Sequence, residues 1–154
     1  MIKLKYIFIF FFLLFLNNQK ALADYDPSPY CKKGKEELLI GYKLHDSGQY
    51  ADARNVWKKA ISLGCAWAAF EISGHYYKGT YDVQHNEYEQ FKWVKICSDL
   101  GDIKCKFFVG QMLIDGKGTK KNIKKGCRLL KQGLLSLNEN ERYAFTVLNP
   151  DCKF

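Results

Sequence analysis

Six cysteines, three histidines and a dense run of lysines are the residues here whose types and spacing could do chemistry. An even set of cysteines can pair as disulfides or, together with histidines, hold a metal. A metal site needs closely spaced ligands, and no C-x-x-C pair occurs among Cys31, Cys65, Cys97, Cys105, Cys127 and Cys152. His45, His75 and His85 show no ligand spacing either, so no metal or other cofactor is expected. Catalytic signatures are missing as well: there is no G-x-S-x-G, S-x-x-K or H-E-x-x-H, and no phosphate-cradling glycine loop. His75 follows Glu71 by four residues on one helix face, a spacing that serves a surface contact as readily as an acid–base pair. A binding protein is expected, not an enzyme.

The cellular compartment decides what the thiols do. Lys3 and Lys5 precede an unbroken apolar run from Ile7 to Leu16, followed by polar residues and then Ala21-Leu22-Ala23. This is the pattern of a secretory signal peptide over residues 1–23, cleaved before Asp24. Ten apolar residues are too few to span a bilayer, and no cysteine follows at lipoprotein distance. Removing residues 1–23 takes three lysines and no acids, lowering the formal charge from +8 to +5. What remains suits one small domain or a short repeat array in the periplasm or outside the cell. There the six cysteines form a disulfide framework.

A repeat underlies the remaining chain. Residues 64–73 and 101–110 align without a gap at an offset of 37. Ala66 matches Ile103, Ala68 matches Cys105, Phe70 matches Phe107 and Ile72 matches Val109. Gly79 and Gly116 follow at the same distance, as helix-stopping residues. Each unit therefore reads as a helical hairpin, with helices over about 65–78 and 86–99, then 102–115 and 121–137. An earlier pair covers about 33–46 and 50–63, turning at Asp46-Ser47-Gly48. In its second helix Ala53, Val56, Trp57 and Ala60 share one stripe. The irregular stretch 82–87 implies a longer loop in the middle unit, and a last helix over about 139–148 caps the array.

Residues 101–110, with Leu113, Gly116-Lys117-Gly118 and the basic helix beyond, resemble the Sel-one-like repeat, a relative of the tetratricopeptide repeat. The middle unit keeps Ala66, Ala68, Phe70, Ile72, Tyr76 and Gly79 of that pattern but has Ser73 and Tyr81 where glycine is preferred. The resemblance implies an all-α fold: tandem helix-turn-helix repeats in a short right-handed α-solenoid with a C-terminal capping helix. The expected division is a signal peptide at 1–23, an N-terminal arm at 24–32, repeats at 33–64, 65–100 and 101–137, and a cap and tail at 138–154.

Helix ends set which thiols can meet. Cys97 closes one helix and Cys105 lies one turn into its antiparallel neighbour, within bridging reach across Gly101-Asp102. Some exported Sel-one-like proteins are similar in carrying a cysteine pair at this spacing. Cys31 and Cys65 flank the first hairpin at one end, and Cys152 follows the capping helix that returns towards Cys127. Six cysteines allow fifteen pairings, of which Cys31–Cys65, Cys97–Cys105 and Cys127–Cys152 fit these helices.

Two surfaces are candidates for binding. In repeat solenoids the first helix of each pair lines the inner face. Trp67, Glu71 and His75 in the middle unit, and Lys104, Phe108 and Gln111 in the next, should then point outward. Lys117, Lys120, Lys121, Lys124, Arg128 and Lys131 form a basic stripe with no acid between Gly116 and Asn138, suited to an acidic partner or phosphate headgroups. Nucleic acid is not expected for an exported chain. The resemblance extends to small exported immunity factors for secreted antibacterial effectors, phospholipases among them. A protein partner of that kind is the first expectation. Two alternatives remain: a β-lactam- or peptidoglycan-related activity, as described for some disulfide-rich relatives, and an envelope or host-directed adaptor. No nucleophile arrangement supports the former.

Overall fold

Helix punctuation in the chain comes from a few capping residues. The computed structural model describes residues 30–79, 82–134 and 152. They form α1 Lys35–Asp46, α2 Tyr50–Ser62, α3 Ala66–Lys78, α4 Glu87–Asp99, α5 Ile103–Asp115 and α6 Ile123–Gly133, with no strand among the described residues. Gly34, held at φ 82°, starts α1 two residues later than the sequence suggests. Asn122 likewise delays α6 by capping it: its side-chain oxygen accepts from Lys125 N–H at 2.9 Å. The expected capping helix at 139–148, the signal peptide at 1–23 and most of the arm at 24–32 lie outside the described residues.

The second and third hairpins use one loop design. Gly79 and Gly116 end α3 and α5 in the left-handed region, at φ 59° and 75°. Asn86 then caps α4 by accepting from Glu89 N–H at 3.0 Å, as Asn122 caps α6. The backbone N–H of Asn86 reaches back to Tyr76 O at 3.0 Å, and that of Asn122 to Leu113 O at 2.7 Å. Tyr76 and Leu113 stand at the same 37-residue offset read from the sequence. The loop over 79–86 is one residue longer than that over 116–122, as the irregular stretch implied.

Consecutive helices pack, both within the hairpins α1–α2, α3–α4 and α5–α6 and across the junctions α2–α3 and α4–α5. Leu38, Ala53, Trp57, Ala60, Ala68 and Ile72 form the core where the first two hairpins meet. Ala66, Ala69, Val94, Val109, Met112 and Leu113 form the next. Small residues set the helix separations. Gly41 leaves room for the Trp57 indole, whose N–H donates to Leu38 O at 3.2 Å. At Gly110 a Cβ would lie 2.8 Å from Leu130 Cγ, and at Gly126 one would lie 2.7 Å from Gly110 O, so α5 and α6 touch backbone to backbone.

Three disulfides staple the hairpins, in the pairs that the helix ends suggested. Cys31–Cys65 joins the approach to α1 to the start of α3. Cys97–Cys105 crosses the α4–α5 junction with Cα atoms 5.8 Å apart, and Cys127–Cys152 ties the tail to α6. Asp102, fully buried, caps α5 by accepting from Cys105 N–H at 2.9 Å. Disulfides of this kind persist in an oxidising compartment, which places the chain outside the reducing cytosol. No helix among the described residues is long and apolar enough to cross a membrane.

The glycine contacts give paired expectations. Gly126→Ala should destabilise the oxidised protein by about 1–3 kcal/mol, because the methyl meets the Gly110 carbonyl and Ile114. Gly74→Ala, also helical but with nothing within 4 Å of the place its methyl would take, should instead stabilise by about 0.5–1 kcal/mol. Urea unfolding monitored by circular dichroism measures both signs. Removing Cys31–Cys65 should cost about 1 kcal/mol more than removing Cys97–Cys105, since their sequence separations are 34 and 8.

Candidate functional site

The first helices of successive hairpins meet through their aromatic side chains. Tyr42 on α1 accepts from the Trp67 indole N–H at 2.8 Å and donates to Glu71 Oε1 at 2.7 Å, both on α3. From Trp67 the row continues to Phe70, with ring centroids 4.7 Å apart, and on to Phe108 of α5 at 5.3 Å. Phe107 stands nearly perpendicular to Phe108 at 5.8 Å and packs against Gly133 of α6. The result is a ridge across α1, α3 and α5 that ends in one open ring, with Phe108 40% exposed.

Two residues expected to point outward do not. Trp67 is only 8% exposed, because its indole finds an acceptor in the Tyr42 hydroxyl and its ring lies on Phe70. His75 is 3% exposed, turned into the junction between the first two hairpins rather than away from it. Glu71 is half-buried at the end of the Tyr42 hydrogen bond, and Lys104 is half-buried on α5. Gln111 donates to Asp115 at 3.0 Å along the α5 surface. Phe108 alone of the aromatic pair has the exposure expected of it. Lys120, Lys121, Lys124, Arg128 and Lys131 are exposed as a separate basic surface, as is Lys117, 3.8 Å from Asp115.

The electrostatics follow from burial. Burial raises the Glu71 carboxyl above its ordinary range, while hydrogen bonds from Tyr42 and Trp67 pull it back. Burial, then the charge and hydrogen bond of Glu71, hold the Tyr42 hydroxyl protonated well above the usual tyrosine range. It is therefore a fixed donor to Glu71. Around His75 lie His45 at 5.3 Å, Trp57 at 5.5 Å and Tyr50 at 6.1 Å between ring centroids, and Arg54 Nη1 at 3.2 Å from Nδ1. Arg54 in turn grips Asp82 in the α3–α4 loop with two bonds, at 2.5 and 2.7 Å. Burial first, then the Arg54 and His45 charges, push His75 down to about 4. This cluster braces two hairpins.

Tyr42, Arg54 and Asp82 had not been singled out from the sequence. The first hairpin aligns poorly with the other two, so no repeat position marked Tyr42, and Asp82 lies in the irregular loop. Among the described residues the one clustered ligand set is Cys97, Asp102 and Cys105, whose ligand atoms lie within 4.8 Å of one another. Its sulfurs are joined to each other and Asp102 is engaged on Cys105 N–H, which uses the donors that a metal would need.

The arrangement of paired helices is the Sel1-like repeat fold. A Sel1 repeat protein from Oxalobacter formigenes superposes with a TM-score of 0.64 at 29% identity, over 78% of this chain and 50% of that one. A protective antigen of uropathogenic Escherichia coli displaying an SLR fold superposes with a TM-score of 0.66 at 18% identity, over 77% of this chain and 26% of that one. The chain thus spans half the length of the first and about a quarter of the second. No protein-family model and no curated protein matches the sequence.

The His75 cluster makes stability depend on pH. Its folded value, about 4, lies below the ordinary 6.5, so between these values the unfolded chain binds the extra proton. Stability is complete above about pH 6.5 and is lost as pH falls towards 4, by roughly 1–2 kcal/mol after solvent screening. Glu71 has the opposite sign: its raised value favours the fold at low pH and loses that contribution as pH rises past the ordinary carboxylate range. Denaturant unfolding across pH 4–7 should therefore show stability rising less with pH in His75→Gln than in the parent.

Proposed function

We propose that the chain is an exported docking protein, without catalysis of its own, that neutralises a secreted antibacterial effector by seating its first-helix ridge over the effector's active-site mouth. The observation that carries this is Phe108: an open ring joined through Phe70 to buried Trp67, which Tyr42 and Glu71 hold in place. An aromatic anchor whose neighbours are already fixed loses little entropy on binding and is typical of interface hot spots. Gln111 and Lys104 add polar and cationic groups on the same helix as Phe108. The three disulfides and the basic-apolar start of the sequence support export.

The immunity role, and a phospholipase as effector, rest on the likeness to small exported Sel-one-like proteins. A secreted hydrolase encoded beside this chain is the partner to try first. Co-expressed in the same compartment, the chain should protect cells from that enzyme and inhibit it when purified. Phe108→Ala should weaken binding about thirtyfold or more by calorimetric titration, while unfolding shifts by under about 1 kcal/mol. Trp67→Ala does not serve as a test, since a buried indole lost from the junction lowers stability itself. Undiminished affinity in the Phe108 variant would refute the ridge. A hydrolase neither bound nor inhibited would refute the immunity role.

A further inference from the structure

The acid-free stretch after Gly116 has no part in the ridge of first helices. Lys120, Lys121, Lys124, Lys125, Arg128 and Lys131 are all exposed, and among the described residues none lies within ion-pair distance of a carboxylate. The opposite side of α6 buries Gly126, Leu130 and Gly133. The helix is split lengthwise into a packed face and a cationic one.

The preceding hairpin serves as an internal control. Helices α4 and α6 share the same asparagine cap and the same backbone bond to the helix before. After that cap, α4 places Glu87 and Glu89 in its first turn, where the positive end of the helix dipole favours acids. At the matching place α6 has Lys124 and Lys125 and no acid. Cations there oppose the dipole and repel one another, so the repeat does not require them and the helix would be more stable without them. Their presence there points to a ligand of opposite charge.

The kind of ligand follows from what surrounds the charges. Five of the six are lysines, mobile point charges, rather than arginine forks suited to a fixed carboxylate or phosphate. Among the described residues none of the exposed large apolar side chains lies on α6, so an acidic protein would find no desolvated anchor there. Beside the patch, the loop carrying Gly118 lies against Glu87 and Phe91 of α4, and Tyr88 in that same turn is 66% exposed. Exposed lysines, with an open amphipathic phenol on the helix turn that their loop packs against, are a composition suited to headgroups. We propose that α6, the 116–122 loop and Tyr88 dock the chain peripherally on an anionic phospholipid bilayer, independently of the first-helix ridge.

The test is co-sedimentation of the oxidised, signal-free chain with vesicles of phosphatidylglycerol mixed into phosphatidylcholine, against phosphatidylcholine alone. Partition into the anionic vesicles only is expected, and its loss at roughly 0.5 M salt. The variant Lys120→Gln/Lys121→Gln/Lys124→Gln/Lys131→Gln should partition about a hundredfold more weakly, while Phe108→Ala partitions like the parent. Unfolding of the quadruple variant at or above the parent's temperature shows that the loss is not misfolding. If that variant does not fold, Lys124→Gln and Lys131→Gln singly must each reduce partition. Equal partition of parent and variants overturns the proposal, as does parent protein that ignores anionic vesicles. Displacement by soluble glycerophosphate at matched ionic strength would overturn it in favour of a discrete phosphate site. Lysine-dependent binding to polyglutamate without vesicle binding would overturn it in favour of an acidic protein.

Discussion

A two-helix hairpin cannot cover its own apolar face, and the whole arrangement depends on the next hairpin doing so. Trp57 shows the constraint most directly. It is fully buried, yet its ring is enclosed by both hairpins: Gly41 beneath it, Tyr42 and His45 on α1, and His75 from α3. Without the second hairpin one side of that indole would face water. The same dependence recurs at the next junction, where Ala66 and Ala69 of α3 share a core with Val109 and Met112 of α5. Burial is therefore a property of neighbouring pairs, and the disulfides act where the pairs meet or end. Cys97–Cys105 crosses a junction at positions that the preceding junction fills with Ala60 and Ala68, both fully buried. A covalent bond and close alanine packing are two solutions to one geometric demand.

Within that frame the junctions differ in polarity. Both are stapled by a disulfide, but beside the second the buried polar side chains are Ser98 and the α5 cap Asp102, whereas the first contains His75, Arg54 and the Tyr42–Glu71 pair. Buried polar groups are stabilised by the hydrogen bonds they make, and Tyr42, Glu71 and Arg54 make theirs between elements far apart in sequence. Arg54 on α2 holds the α3–α4 loop through Asp82, and Tyr42 on α1 holds Trp67 and Glu71 on α3. Such contacts fix the angle between hairpins more sharply than apolar packing alone. That angle determines where Tyr42 meets Trp67, and so how the ridge begins on α1.

Much of the fold could be read from the sequence because the repeat records local demands. Gly79 and Gly116 are needed for a left-handed cap, and the 37-residue offset that they mark reappears in the bonds to Tyr76 and Leu113. The cysteine pairs were legible for the same reason, since they lie at helix ends whose positions glycine and asparagine fix. The outward-facing residues were less so. Trp67 occupies the repeat position of Lys104, which suggested solvent, but α1 lies over one and not the other. Periodicity tells which side of a helix faces its partner within the hairpin. It does not tell how far the preceding hairpin reaches across, and that reach is set by Tyr42, in the unit whose alignment is weakest. His75 was misjudged through the same gap, because its neighbours come from α1 and α2.

The two outer surfaces obey different physics, and this bears on how they would work together. The ridge is short-ranged and depends on shape: an open Phe108 backed by the ring of Phe70. The cationic side of α6 is long-ranged and indifferent to shape, and salt screens it within about 10 Å. Attraction of the second kind fixes neither register nor partner, but it confines a protein to a surface. Confinement raises the effective concentration of anything met there, so a short-ranged contact can be weaker in solution and still be occupied. An aromatic anchor as small as a single exposed ring is then sufficient for a partner that acts at a lipid surface, and it would be marginal for one met in bulk water. The lysines that oppose their own helix dipole and the sparse apolar ridge are consistent with each other on that basis.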